Sequence, residues 1–150
     1  MGQTYTQLLI HVVFGTKGRA ASINPAIRSR LHAYMGGIVR EFDGRCLIAC
    51  GTADHVHLLL SLPPKHSLSD IMRVLKANSS RWVRNHVRNR GSFSWQSGYS
   101  AFSVSQSNCE KVREYIANQE EHHRRLSFQD EVRLLLKKHV VEFDEKYLWD

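Results

Sequence analysis

The sequence lacks any apolar run near the ~20 residues that a membrane-spanning helix needs. Its first ten residues have no basic region and no small-residue cleavage site, so they do not read as a secretory signal, and the expected location is cytoplasmic. Cysteine is scarce. Cys46 and Cys50 are four apart, which is neither C-x-x-C nor part of a paired zinc pattern, and Cys109 stands alone. The three read as reduced, small, semi-buried residues. No internal repeat and no low-complexity tract is present. Acidic residues are also in short supply, at 14 Asp and Glu against 21 Lys and Arg, for a net charge of +7. A sequence pI of about 9.6 with clustered arginine points to a polyanionic partner, of which nucleic acid is the commonest; a basic surface kept for solubility is the plainer reading. The length of 150 residues fits one domain, 1–150.

What is present reads as alternating strands and helices. "QLLIHVVFGT", Gln7 to Thr16, is apolar and β-branched and predicts a first strand. Asn24-Pro25 supplies an N-cap and an N1 proline for a helix to about Phe42. Asp43-Gly44 is a turn, "RCLIACGT" a second strand, and "HVHLLLSL" from His55 a third, joined to the second as a hairpin. Pro63-Pro64 ends it. Ser67 and Asp70 form a capping box opening a helix to about Asn89. Gly91 to Gly98 reads as a loop and Tyr99 to Val104 as the fourth strand. Ser107 with Glu110 predicts a second box and a helix through Leu126; Ser127 with Asp130 predicts a third and a helix to about His139. The tail from Val140 has no clear pattern. The order β-α-β-β-α-β followed by helices predicts an α+β, ferredoxin-like core: a four-stranded antiparallel sheet with two helices on one face and the other face open.

His55 and His57 interrupt the most apolar of these strands. Side chains alternate along a strand, so the two rings share a face while Val56, Leu58 and Leu60 point to the helices. Two imidazoles roughly 7 Å apart along a strand can hold one metal ion. Hydrogen-bonded strand histidines are the other reading; the pairing in a long apolar strand after Asp54 favours ligation. A third ligand must come from elsewhere. In "NCEKVREYIANQEEHHRR", Tyr115 and Gln119 are four apart and stack on one helical face, continued by His122, with Val112 and Ile116 beside it to dock the helix. An ordinary amphipathic tyrosine would look the same. His122 and His123 are the candidate helpers for protonating a leaving oxygen, though no motif singles either out.

"HVVFGTK" at His11–Lys17, "DHVHLLLSLPP" at Asp54–Pro64, "SWQSGY" at Ser94–Tyr99 and "VREYIANQ" at Val112–Gln119, in that order, resemble the single-tyrosine transposases of the insertion-sequence-200/605 group, within the His-hydrophobe-His (HUH) nucleases. The resemblance implies a ferredoxin-like fold and a homodimer with composite active sites, histidines from one subunit and the tyrosine helix from the other. It implies that His55, His57 and Gln119 bind Mg²⁺ or Mn²⁺ and that Tyr115 is the nucleophile. It implies cleavage and rejoining of single-stranded DNA with hairpin ends through a 5′-phosphotyrosine.

The chemistry agrees with those roles. A divalent ion withdraws charge from a phosphodiester, and a phenol of pKa ~10 attacks well only when deprotonated near a cation. The second long helix carries Arg73, Lys76, Arg81, Arg84 and Arg88, with Trp82 among them, and its basic count favours phosphate contact. A host-adopted relative that cleaves repeat hairpins would carry the same motifs. A non-catalytic single-strand-binding module is the alternative of another class, but the third strand has histidines where stacking aromatics would sit. A phosphoesterase using water would need a second H-x-[ST] motif, which is not seen.

Overall fold

A computed structural model describes residues 2–87 and 92–150. Its centre is a four-stranded antiparallel sheet in the order β2-β3-β1-β4, with β1 Leu9–Gly15, β2 Arg45–Gly51, β3 His55–Ser61 and β4 Ser100–Val104. Helix α1 (Pro25–Glu41) connects β1 to β2, and α2 (Leu68–His86) connects β3 to β4. This is the ferredoxin-like plan expected from the sequence.

Helix α1 forms where predicted. Asn24 accepts a hydrogen bond from the Ala26 amide, Pro25 opens the first turn, and Ile27, Leu31, Met35 and Ile38 supply a buried stripe at helical spacing. In α2 the Ser67 side chain caps the Asp70 amide, and Ile71, Met72, Leu75 and Val83 are buried. The two stripes pack on Val12, Phe14, Val56, Leu58 and Leu60, which form the main core. Helix α2 ends at His86, short of Asn89, because Val87 turns to extended backbone; Asn89 itself lies outside the described residues.

The opposite face of the sheet is roofed, in contrast to the open face expected. Helices α3 (Cys109–Ala117), α4 (Gln119–His122) and α5 (Phe128–Lys138) cover it. Ile116 and Cys109 pack on Leu9, Leu59 and Val104; Phe128, Val132 and Leu136 pack on Val13 and Phe102. The helix expected from Ser107 through Leu126 departs from expectation at both ends. Ser107 lies in a 3-10 turn (Gln106–Asn108) and shares a hydrogen bond with the Ser105 hydroxyl instead of capping. Asn118 (φ −101°, ψ 25°) breaks the helix between Tyr115 and Gln119. The third box holds: Ser127 accepts from the Asp130 amide and opens α5. The tail forms one turn, α6 (Glu145–Leu148), after which the Asp150 carbonyl accepts from the Gly98 amide. No helix among the described residues is long and apolar enough to cross a membrane.

The β2–β3 hairpin that presents the histidines depends on Gly51. A Cβ there would stand 2.2 Å from the His55 carbonyl oxygen and 2.9 Å from the Val56 Cα, both backbone atoms that cannot swing away. Gly51→Ala should therefore destabilise the fold by about 3 kcal/mol or more, as overpacking against rigid neighbours does. Urea unfolding followed by circular dichroism tests this; an unchanged midpoint would mean the hairpin bends at no cost.

Candidate active site

His55 and His57 project together from β3 into the layer between the sheet and the roofing helices, and both are fully buried. On β1, His11 reaches diagonally across, its Nε2 2.8 Å from His57 Nδ1. From the roof come Tyr115 on α3, Gln119 at the start of α4, His123 just after it and Glu131 on α5. Ligand atoms of His55, His57, His123 and Glu131 lie within 4.8 Å of one another.

Glu131 ties the group together. It is 1% exposed. Its carboxylate accepts from His57 Nε2 (3.0 Å), His123 Nε2 (2.9 Å), Gln119 Nε2 (3.0 Å) and the Tyr115 hydroxyl. Burial pushes its carboxyl up, but the bonds from His123 and His57, the charge of His57 and the bond from Tyr115 outweigh burial and hold it well below the usual carboxylate range. Tyr115 is pushed above the usual phenol range, first by burial and then by the carboxylate it touches. Burial lowers His57 to about 4 and His11 to about 3. For His123, burial pulls down, but the bond to Glu131 and its charge win and raise it.

The donor set fits a divalent cation. Asp54 Oδ1 lies 2.8 Å from His55 Nδ1 and accepts its N–H, the tautomer that turns the Nε2 lone pair inward for a metal ion. That lone pair faces the Gln119 carbonyl oxygen at 2.9 Å, and Gln119 cannot flip because its amide nitrogen donates to Glu131. Two acceptors at that separation need a proton or a metal ion between them. An ion with ligands at ~2.1 Å places cis donors ~3 Å and trans donors ~4.2 Å apart, close to the spacing here. His55, His57, His123, Glu131 and the Gln119 oxygen could hold it. Three imidazoles with two oxygens suit Mn²⁺ better than Mg²⁺, which prefers oxygen and retains water.

Tyr115 stands at the edge of this cluster in the same chain. Its ring centroid is 5.9 Å from that of His57 and 6.2 Å from that of His11, and His122 stacks on its other side at 4.5 Å. The structure thus brings His55, His57, Tyr115 and Gln119 together, although Asn118 interrupts the helix joining the last two. His123, in the sequence only a candidate helper for the leaving oxygen, and Glu131, which is not among the residues the sequence singles out, join the cluster.

The basic residues of α2 are elsewhere, across the sheet from the histidines. Arg73 is exposed beside Asp70, and Arg81 is exposed. Arg84 donates to the Phe93 carbonyl at 2.9 Å. Lys76 donates to the carbonyls of Gln96, Ser97 and Gly98 (2.6–2.9 Å), and burial lowers it to about 8, so its charge is engaged in holding the loop before β4. Arg88 lies outside the described residues. Trp82 is sandwiched between Tyr34 and His86.

A ferredoxin-like sheet with a His-apolar-His pair on a central strand and a tyrosine helix laid against it defines a class, the His-hydrophobe-His DNA-processing domains. Comparison with known proteins narrows the class. The family profile described as "Transposase IS200 like" matches residues 4–119. The transposase for insertion sequence element IS200 of Salmonella typhimurium is 31% identical over 114 residues, covering 73% of this chain and 74% of the relative. A crystal structure of a protein from Deinococcus radiodurans R1 assigned as a transposase superposes with a TM-score of 0.62 at 25% identity, covering 79% of this chain and 96% of that one. The REP-associated tyrosine transposase bound to a REP hairpin shares the fold, with a TM-score of 0.54 at 13% identity over 77% of this chain and 67% of that one. The chain belongs to the IS200-like transposase family. The matched span ends at Gln119, so His123 and Glu131 lie beyond it.

Proposed function

We propose that this chain cuts and rejoins single-stranded DNA at insertion-sequence ends, with Tyr115 as nucleophile and a divalent cation, Mn²⁺ or Mg²⁺, held by His55, His57, Gln119, His123 and Glu131. The observation that carries the reading is the chain of contacts Tyr115–Glu131–His57, which puts a phenol oxygen against a candidate metal cage.

Attack of the Tyr115 oxygen on phosphorus forms the Tyr–O–P bond and breaks the P–O3′ bond; the proton the phenol gives up is balanced by one taken up at the departing oxygen, leaving a 5′-phosphotyrosine and a free 3′-hydroxyl. The phosphodiester is exchanged, not hydrolysed, so a second DNA 3′-hydroxyl can reverse the step without ATP. The Tyr115 hydroxyl already donates to the Glu131 carboxylate, so an acceptor for its proton is in place when the oxygen attacks. Burial first and then the neighbouring carboxylate favour the un-ionised phenol, and positive charge beside Glu131 would favour its ionisation. His55, His57, Gln119, His123 and Glu131 would hold a divalent ion there, and such an ion would supply that charge, withdraw electron density from the phosphate and orient it for in-line displacement. His11 and Asp54 fix the outward nitrogens of His57 and His55 and so keep the inner ones aimed at one point. The fold shared with a transposase described in complex with a REP hairpin supports hairpin ends as the recognised element.

We further read each site as self-contained in one chain, in place of the composite dimer that the resemblance implies, because all these groups meet without a second subunit. The test is adduct formation on denaturing gels with labelled single-stranded DNA. Wild type should give a Mn²⁺-dependent covalent band. A mixture of His57→Ala and Tyr115→Phe chains should give none. Recovery of the band in the mixture would make the sites composite, and no band from wild type under any divalent ion would sink the enzyme reading.

A further inference from the structure

We infer that a single DNA strand crosses Tyr115 through a track of two cavities, and that the larger one seats a nucleotide next to the scissile phosphate. This rests on the reading of Tyr115 as nucleophile and adds the substrate's binding site to it. The larger cavity, about 390 Å³, opens between β4, α3 and α5, and Tyr115 stands in its wall. A second, about 280 Å³, opens beyond the C-terminal end of α3. Tyr115 is the lining residue they share, so a chain lying in both passes the tyrosine side chain.

The chemistry of the larger cavity fits a nucleotide. Val104, Val112 and Leu135 form an apolar wall of the kind a base packs on. His139 adds an aromatic ring held in place, stacked on Phe102 at 4.3 Å and bonded to the Leu135 carbonyl at 2.8 Å. Lys111 on α3 and Lys138 on α5 flank the opening from opposite sides, and no carboxylate is among its described lining residues. On the far side of Tyr115, the smaller cavity is lined by Arg125, by Glu121, whose charge is paired with Arg124 at 3.0 Å, and by His122, whose Nε2 is buried without a hydrogen-bond partner among the described residues. Cation, apolar wall, nucleophile, cation is the order that a phosphate–base–phosphate repeat demands. The track lies on the roofed face of the sheet, so it is separate from the arginines of α2 on the other face.

The probe is a short fluorescein-labelled oligothymidylate, bound in EDTA so that cleavage does not intervene. Lys111→Ala/Lys138→Ala should weaken binding and lower the slope of log K against log salt by about 1.4, the value for two lost single-strand phosphate contacts. Lys65→Ala, which removes a lysine already paired with Asp43, should change neither. Photocrosslinking with 4-thiothymidine in the same oligonucleotide should label peptides containing Asn108–Val112 and Leu135–His139. Unchanged affinity and slope in the double variant, or crosslinks confined to α2, overturns the track. Binding and crosslinking in the track by a wild-type chain that forms no adduct with divalent ions present would instead retain the site and remove the nucleophile reading.

Discussion

A Tyr115→Phe chain should form no covalent adduct with single-stranded DNA, in any divalent ion, while remaining folded and still binding DNA. The substitution removes one atom. The ring keeps its stack on His122 and its place beside His11, Ile116 and Val112. Glu131 loses one of its donors but keeps His57, His123 and Gln119. Relief of the buried phenol's desolvation offsets part of that, so the net cost should stay within about 1–2 kcal/mol, in the range of one hydrogen bond to a charged group. No other tyrosine can substitute. Tyr5 and Tyr147 are largely exposed, Tyr34 packs on Trp82, and Tyr99 sits over Lys76, none in contact with the histidine cluster. With 3′-labelled DNA the downstream fragment carries the protein link, so the readout is a labelled protein band on a denaturing gel. A band of wild-type intensity from Tyr115→Phe, or peptide mapping that finds wild-type DNA on another residue, would show that a different group attacks.

The core was legible because its signals are local and redundant. Asn24-Pro25, Ser67 and Ser127 each announce a helix start, and the alternation in β3 alone sorts Val56, Leu58 and Leu60 to one face and His55 and His57 to the other. The roof over the histidines was not legible in that way. Whether α5 swings back across the sheet is decided by long-range packing of Phe128, Val132 and Leu136 on Val13 and Phe102, which no local pattern encodes. The false capping box at Ser107 has the same lesson in reverse. The motif was present, but the chain leaving β4 enters a 3-10 turn one step later and the helix starts at Cys109. Glu131 did leave a trace in the sequence. It lies three after Phe128 and one before Val132, on the stripe that α5 buries, so it is a carboxylate in an apolar face, as His55 and His57 are imidazoles in an apolar strand. Two such anomalies in separate elements point to each other, and a helix predicted from its capping box alone does not reveal the second.

Glu131→Gln should cost the metal-free protein far more stability in mild acid than in mild base. The reason is the sign of the linkage. Glu131 raises the folded-state pKa of His123 above the ordinary value near 6.5, so their ion pair contributes fully below that pH and fades as pH rises through the folded value. The Glu131 carboxyl is itself held low and stays charged across the range. Glutamine removes the charge, offers one acceptor oxygen where there were two, and turns an NH₂ toward groups that are themselves donors. At pH 6 the variant loses the ion pair: His123 either keeps its proton without the carboxylate or gives the proton up to its burial, for a loss of up to about 3–5 kcal/mol, the usual cost of breaking a buried pair. At pH 8.5 His123 is more nearly neutral and the loss should shrink. His57 and His11, held by burial at about 4 and about 3, make both proteins less stable as pH falls below 6.5, because the unfolded chain then binds protons that the folded one refuses. That background is largely common to the two, and the part of it that Glu131 offsets at His57 deepens the acid loss in the variant. The measurement is the difference in urea midpoint between wild type and Glu131→Gln at the two pH values in EDTA, followed by Mn²⁺ titration at pH 7.5. Affinity for Mn²⁺ should fall at least about 10–100-fold, the loss typical of even an outer-shell partner. A stability difference that is the same at both pH values, or larger in base, would mean that His123 is not the proton-bearing partner of Glu131; unchanged Mn²⁺ affinity would remove Glu131 from the proposed cage.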